Sequence, residues 1–139
     1  PQYKSAAITF DLVKDLNLEK DFIISGFKSG PDLWEFLSDC NILINTSIVE
    51  GVPNRFLESK ILGNTIITFN VGRVDELIEN GQSGIIIDDR DINLMVKSIC
   101  QTIRGKNKEI RKNNLKNEYL DINKITFDKN IKNLLDQFI

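Results

Sequence analysis

Histidine is absent from the 139 residues, and its absence removes the commonest general base, the nucleophilic triads built on it and most zinc or iron sites. Cysteine is nearly as scarce. Cys40 and Cys100 stand far apart, each in an apolar segment and without a companion at metal-ligand spacing, so both read as small core fillers. No apolar run approaches the roughly 20 residues that span a membrane, and PQYKSAAITF at the start holds no stretch of signal-peptide length. Charge of one sign is lacking too: 18 Lys plus Arg face 20 Asp plus Glu, a net charge of -2, and no segment concentrates enough basic charge to follow a phosphate backbone. Nucleic acid is therefore not an expected partner. The glycine-rich dinucleotide fingerprint, the Walker lysine motif and internal repeats are missing as well. What remains for chemistry is carboxylates, Lys, Arg and backbone dipoles, in a chain that reads as soluble and cytoplasmic. It opens on Pro1 instead of Met, from which a partial, excised or processed chain is expected.

Helical and strand signals alternate along the chain. Tyr3, Ala6, Ala7, Phe10, Val13 and Leu16 recur at spacings of three and four, which predicts a helix over residues 3–16. DFIIS, residues 21–25, is a short continuous apolar run and predicts a strand closed by Gly26. Residues 32–40 put Leu33, Phe36, Leu37 and Cys40 on one helical face, and 41–47 return to a strand. RFLESKIL predicts a helix ended by Gly63, 65–69 a strand, VDELIEN a short helix stopped by Gly81, and 84–88 a fourth strand. The strands' apolar residues run together, as in parallel strands covered on both faces. From Asp91 onward the pattern is helical, and the Lys- and Asn-rich stretch GKNKEIRKNNLKNEYLDINK reads as a solvated helical face, with a lightly basic face near anionic lipid as the other reading. The fold class that follows is α/β: a Rossmann-like open, mostly parallel sheet of about four strands flanked by helices, in a single domain over 1–139 with a helical C-terminal third. In such sheets ligands sit at the carboxyl ends of the strands.

One of those loops lies in INTSIVEGVPNRFLESKILGN, residues 44–64, where Glu50 and Glu58 stand on either side of a turn-forming Gly-x-Pro-Asn. A helix beginning after Pro53 has backbone N–H groups without intrahelical partners, and its dipole favours an anion there, a diphosphate included. Gly51 would let a ligand approach the backbone, and Asn54 and Glu58 share a helical face. Carboxylates accept from paired hydroxyls, so the arrangement suits a nucleotide sugar, with diols at both ends of a diphosphate. The plainer account is that a Glu early in a helix gains about 0.3 to 1 kcal/mol from the dipole with no ligand at all.

The wider stretch SIVEGVPNRFLESKILGNTIITFNVGRVDELIENGQSGIIID resembles the C-terminal, donor-binding domain of retaining glycosyltransferases of the GT-B fold, most closely family 4. The shared positions are Ser47, Glu50, Gly51, Pro53, Asn54, Leu57, Glu58, Gly63, Gly72, Glu76, Gly81 and Gly84. The resemblance runs over about 3–100, with 101–139 as a helical tail. It implies that Glu50 holds hydroxyls of the donor hexose and is the catalytic residue to examine, that Glu58 holds the ribose, and that Gly51, Val52, Pro53 and Asn54 lie along the sugar and phosphates. Gly26, Phe27 and Lys28 would be the base-binding loop. The donor would be a UDP- or GDP-sugar, used as substrate with no cofactor and no metal. The acceptor would be a saccharide or a lipid-linked one, met at the inner face of the cytoplasmic membrane during cell-surface polysaccharide or glycan synthesis.

Departures from the family are visible. Arg73 stands where a second Gly is usual, and Ser59, Lys60 and Ile61 replace small residues after the second glutamate. The family's diphosphate-binding Arg and Lys, and its N-terminal acceptor domain, would lie upstream of residue 1, so the chain alone is expected to be inactive. The alternative is a non-catalytic fragment or binding module of the same fold. In the family's sheet order 3-2-1-4-5-6, a chain starting after the second strand leaves 21–25 without its neighbours. Direct pairing of 21–25 with 41–47, or self-association through the open sheet edge, is then expected. Asp89 and Asp91 form an Asp-x-Asp of metal-binding spacing, but Asp91 is read as a helix cap. Trp34 and Phe36 are read as core aromatics instead of a stacking platform, Phe36 above all. Arg55 and Lys60 are left between a phosphate contact and local ion pairing.

Overall fold

A computed structural model describes residues 2–51, 54–105 and 108–121. The chain divides into two compact units, one of Pro1–Asp32 and one that begins at Leu33.

The first unit holds α1 (Gln2–Asp15), close to the expected helix, and a reversal through Asn17 at φ 54°. The expected strand at 21–25 does not form, and the stretch is irregular. Its expected pairing with the following strand fails with it. Phe22, Ile23 and Ile24 are 49%, 85% and 48% exposed, so the apolar run is not buried either. A strand exists only as part of a ladder, and a unit whose one regular element is a helix offers no ladder to join.

The second unit carries α2 (Pro31–Ser38, its first turn shared with the boundary), β1 (Ile42–Asn45), α3 (Asn54–Ile61), β2 (Thr65–Phe69), α4 (Val74–Leu77), β3 (Gly84–Ile87), a short 3-10 turn (Asp88–Arg90), α5 (Ile92–Ile103) and α6 (Lys108–Asp121). Its sheet is parallel in the order β1-β2-β3, three strands among the described residues instead of about four. Register pairs Ile42 with Thr65 and Ile66 with Gly84, which puts β2 in the middle, buried along its whole length.

The continuous apolar runs are explained by two faces. Ile67, Phe69, Ile87, Ile42 and Ile85 point to one side, where Met95 and Ile99 of α5 cover them. Ile66, Leu43 and Ile86 point to the other, against Phe56 of α3 and Val74 and Ile78 around α4. Neighbouring residues on a strand face opposite ways, so a strand needing cover on both sides is apolar at every position.

The caps follow the sequence. α3 ends at Gly63, whose φ of 75° lets Asn64 N–H reach back to Ser59 O at 2.8 Å. Asp91 caps α5, its Oδ1 accepting from Leu94 N–H at 2.9 Å. Among the described residues no group of three or more potential metal ligands gathers.

Four expectations about side chains change. Phe36 is 37% exposed, while Leu37 is buried and Leu33 and Trp34 are half-buried. Residues two apart on a helix point roughly 200° from each other, so a helix that turns Trp34 inward turns Phe36 outward. Cys40 is only partly buried and Cys100 is exposed on α5, whose inward face is Met95 and Ser98, so neither fills the core as expected. The Lys- and Asn-rich helix α6 is also more than a solvated face. Ile110 and Asn114 are buried, and Asn114 Nδ2 donates to Asn64 O at 2.9 Å and to Ser83 O at 3.0 Å. Arg111 reaches Asn41 and Asn113 reaches Gln82 O, so α6 is tied just before the start of all three strands.

Candidate donor-binding site

The carboxyl ends of β1, β2 and β3 open into three loops, and polar contacts knit them together. Asn70, just after β2, donates to Asp88 Oδ1 at 2.8 Å, just after β3. Arg90 Nη2 donates to Ile48 O at 3.4 Å, and Arg73 N–H points at Gly51 O at 3.5 Å. Gly72 makes the last approach available: at φ 60°, a Cβ there would lie 2.3 Å from Glu50 O and 2.6 Å from Gly51 O. The backbone that carries Glu50 therefore rests directly on the β2 loop.

Glu50 itself is largely covered, with its side chain 18% exposed. It pairs with Arg55, whose Nη2 also donates to Asn45 Oδ1 at 3.0 Å, and Asn45 Nδ2 donates in turn to Thr68 Oγ1 at 3.2 Å. Asn45 and Thr68 are buried at the ends of β1 and β2, so the Arg55 guanidinium is anchored in the sheet. A hydrogen bond from the Ser47 hydroxyl, and next to it the bond and charge of Arg55, hold the Glu50 carboxyl below its ordinary pKa, against the opposing effect of burial. It is an ionised acceptor at neutral pH, suited to hydroxyls.

Glu58 lies just over one turn into α3, half-buried, and its Oε1 accepts from Trp34 Nε1 at 3.1 Å. That partner was not legible in the sequence: the two residues are 24 positions apart, on helices whose phase only the packing sets. Arg55 likewise pairs with Glu50, where spacing left it open, and stands 5.7 Å over the Phe56 ring. Lys60 donates to Leu77 O at 3.1 Å, toward α4.

Of the other expected site residues, Asn54 is exposed at the first position of α3, and Gly51 is exposed with open space where a Cβ would stand. Packing does not require that glycine. Val52 and Pro53 lie outside the described residues. Gly26, Phe27 and Lys28 belong to the Pro1–Asp32 unit, Gly26 with φ 69° and Phe27 94% exposed. The structure thus brings together Asn45, Ser47, Glu50 and Arg55 at the start of α3, with Gly51 on the same loop, and sets Glu58 further along that helix against Trp34. A cavity of about 530 Å³ lies elsewhere, at the amino ends of β1 and β2, lined by Asn41, Thr65, Lys108 and Arg111 among others.

Comparison with known proteins bears on this arrangement. The family described as Glycosyl transferases group 1 matches residues 8–121. A poly(ribitol-phosphate) alpha-N-acetylglucosaminyltransferase of Staphylococcus aureus is 26% identical over 95 residues, 68% of this chain and 19% of that protein. A UDP-Gal:alpha-D-GlcNAc-diphosphoundecaprenol alpha-1,3-galactosyltransferase of Escherichia coli is 23% identical over 132 residues, 95% of this chain and 33% of that protein. The chain thus spans a third or less of the length of these relatives. In structure it is similar to Anabaena HepE, solved in complex with UDP, with a TM-score of 0.69 and 19% identity over 98% of this chain and 38% of that one. With a GT-B-like fold and a match through most of its length, the chain belongs to the glycosyl transferases group 1 family.

Proposed function

We propose that this chain is the donor-binding part of a glycosyltransferase that moves a hexose, with retention, from a UDP- or GDP-sugar to a saccharide or lipid-linked acceptor in cell-surface glycan synthesis. The observation that carries the reading is the two tethered carboxylates, one on the loop before α3 and one within it: Glu50, kept ionised by Ser47 and Arg55, and Glu58, held by Trp34. The names of the relatives, transferases acting on a wall polymer and on a diphosphoundecaprenol-linked sugar, support the substrate class.

In this reading Glu50 accepts from the hexose hydroxyls and sets the sugar's position. Glu58 accepts from the ribose. The diphosphate lies between them against the first N–H groups of α3, along Gly51, Val52, Pro53 and Asn54. The sugar donor is a substrate, and no metal or cofactor is assigned to the site. Positioning is the chain's contribution to rate. Charge leaving with the diphosphate needs cationic stabilisation, which we assign to a part of the protein outside these residues together with the acceptor site, so the chain alone binds donor without transferring the sugar. Work on lipid-linked acceptors would place the protein at the inner face of the cytoplasmic membrane. No helix among the described residues is long and apolar enough to cross one.

Titration of the chain with UDP- and GDP-hexoses tests the proposal. Binding is expected, and Glu50→Ala and Glu58→Ala each abolish it without unfolding the protein. No binding at millimolar donor would instead mark a non-catalytic module of the same fold.

A further inference from the structure

Glu58 is a carboxylate with one oxygen already committed. Its Oε1 accepts from the Trp34 indole at 3.1 Å in a part-buried contact, and Oε2 carries no hydrogen bond among the described residues. An indole N–H is a donor only, fixed in the plane of a rigid ring. Hydrogen bonds to an ionised acceptor are about twice as strong as neutral ones. A Glu on a helix otherwise samples several rotamers. Pinning one oxygen selects among them and fixes the direction in which the other oxygen points. The donor is itself well held: α2 buries Leu37, with Trp34 half-buried beside it on the inward face. Trp34 therefore has more than a filling role, since a filler of this volume needs no N–H aimed at a carboxylate.

From this geometry we infer that Trp34 is a positioning residue for donor recognition, aiming Glu58 Oε2 at the vicinal ribose hydroxyls of a nucleoside diphosphate. The inference rests on the reading of Glu58 as the ribose contact, and it adds the residue that sets the aim of that contact.

The test uses the full chain with UDP and with 2′,3′-dideoxy-UDP, which lacks both hydroxyls; GDP and its dideoxy form are run in parallel. The wild type is expected to prefer the ribonucleotide. Trp34→Phe keeps an aromatic ring but has no N–H, and should lose about fivefold of that preference, with dideoxy-UDP affinity and thermal unfolding unchanged. Glu58→Gln supplies a second measurement that leaves the indole in place. Trp34 is the single tryptophan of the chain, so its emission should shift on Glu58→Gln, and shift in the wild type on adding UDP but not dideoxy-UDP. Full preference retained in Trp34→Phe overturns the inference and leaves the Glu58 reading standing. An equal loss for both nucleotides shows a merely structural tryptophan and overturns it as well. Equal affinity of the wild type for both nucleotides removes the ribose reading itself, and binding of neither UDP nor GDP removes the proposed function.

Discussion

At the scale of single residues, Glu50 shows how a largely covered carboxylate is kept ionised. Ser47 and Arg55 both favour its charged form and burial opposes them, and the balance lies with the first two. A carboxyl with a folded pKa below its unfolded value of about 4.3 contributes stability that is complete above that value. The contribution is lost as the pH falls through the lower, folded value. Thermal unfolding of wild type and Glu50→Gln should therefore differ most at neutral pH, with the wild type more stable, and converge as the pH falls through the lowered pKa of Glu50. A gap of constant width across that range would show that Ser47 and Arg55 do not act on the charge. Gly72 gives a second residue-scale prediction. Alanine there meets two backbone oxygens that cannot swing aside and must also adopt φ 60°. Gly72→Ala should cost about 2 to 5 kcal/mol by denaturant unfolding, and it should disturb the Glu50 loop before any other part of the sheet unit. Both glutamates were legible because they stand in a dense motif of Gly, Pro and Asn. Their partners were legible unequally: the pairing of Arg55 with Glu50 is one of the two readings the local spacing offers, whereas Trp34 is recognisable only once α2 is in place beside α3.

At the scale of elements, legibility followed how much of an element's signal is local. The end of α3 at Gly63 and the cap at Asp91 are local chemistry, and both stand where the sequence puts them. Asp91→Ala should cost about 1 kcal/mol, whereas Asp91→Asn, which retains a cap acceptor, should cost almost nothing. Equal losses in the two would point to a need for the charge itself. The strands were legible where the apolar run had somewhere to go. IITF of β2 and DFIIS at 21–25 carry the same signature, but only the first has parallel neighbours and helices on both faces. A short apolar run states that burial is sought, and the ladder decides whether a strand results. α6 has the solvated face its composition states, and its inward face was missed for the opposite reason. Its composition is that of a solvated helix, yet Ile110 and Asn114 turn inward, and Asn114→Leu would take the side-chain donor away from the carbonyls of Asn64 and Ser83. Unpaired buried carbonyls cost about 1 to 3 kcal/mol each, so this variant should unfold well before a surface substitution on the same helix, such as Lys112→Ala.

At the scale of the whole molecule, the division at Asp32 separates a helical unit from the one that holds the sheet. Every residue of the two apolar clusters, from Ile42 to Ile99, lies in the second unit, as do Glu50 and Glu58. The sheet unit should therefore fold without the first unit. A chain beginning at Gly30, which keeps α2 whole, is expected to unfold in one cooperative transition, with the β signal retained and the helical signal reduced by about the share of α1. Trp34 stays in the shortened chain next to Glu58, so the same fluorophore follows both proteins. If the contact belongs wholly to the sheet unit, its emission should be unchanged by the truncation. A broad, non-cooperative transition, or a Trp34 emission already shifted toward that of the unfolded chain, would mean that the site depends on residues 1–29 for its fold. In that case the loss of donor binding on any substitution in the first unit could not be read as a contact with the ligand.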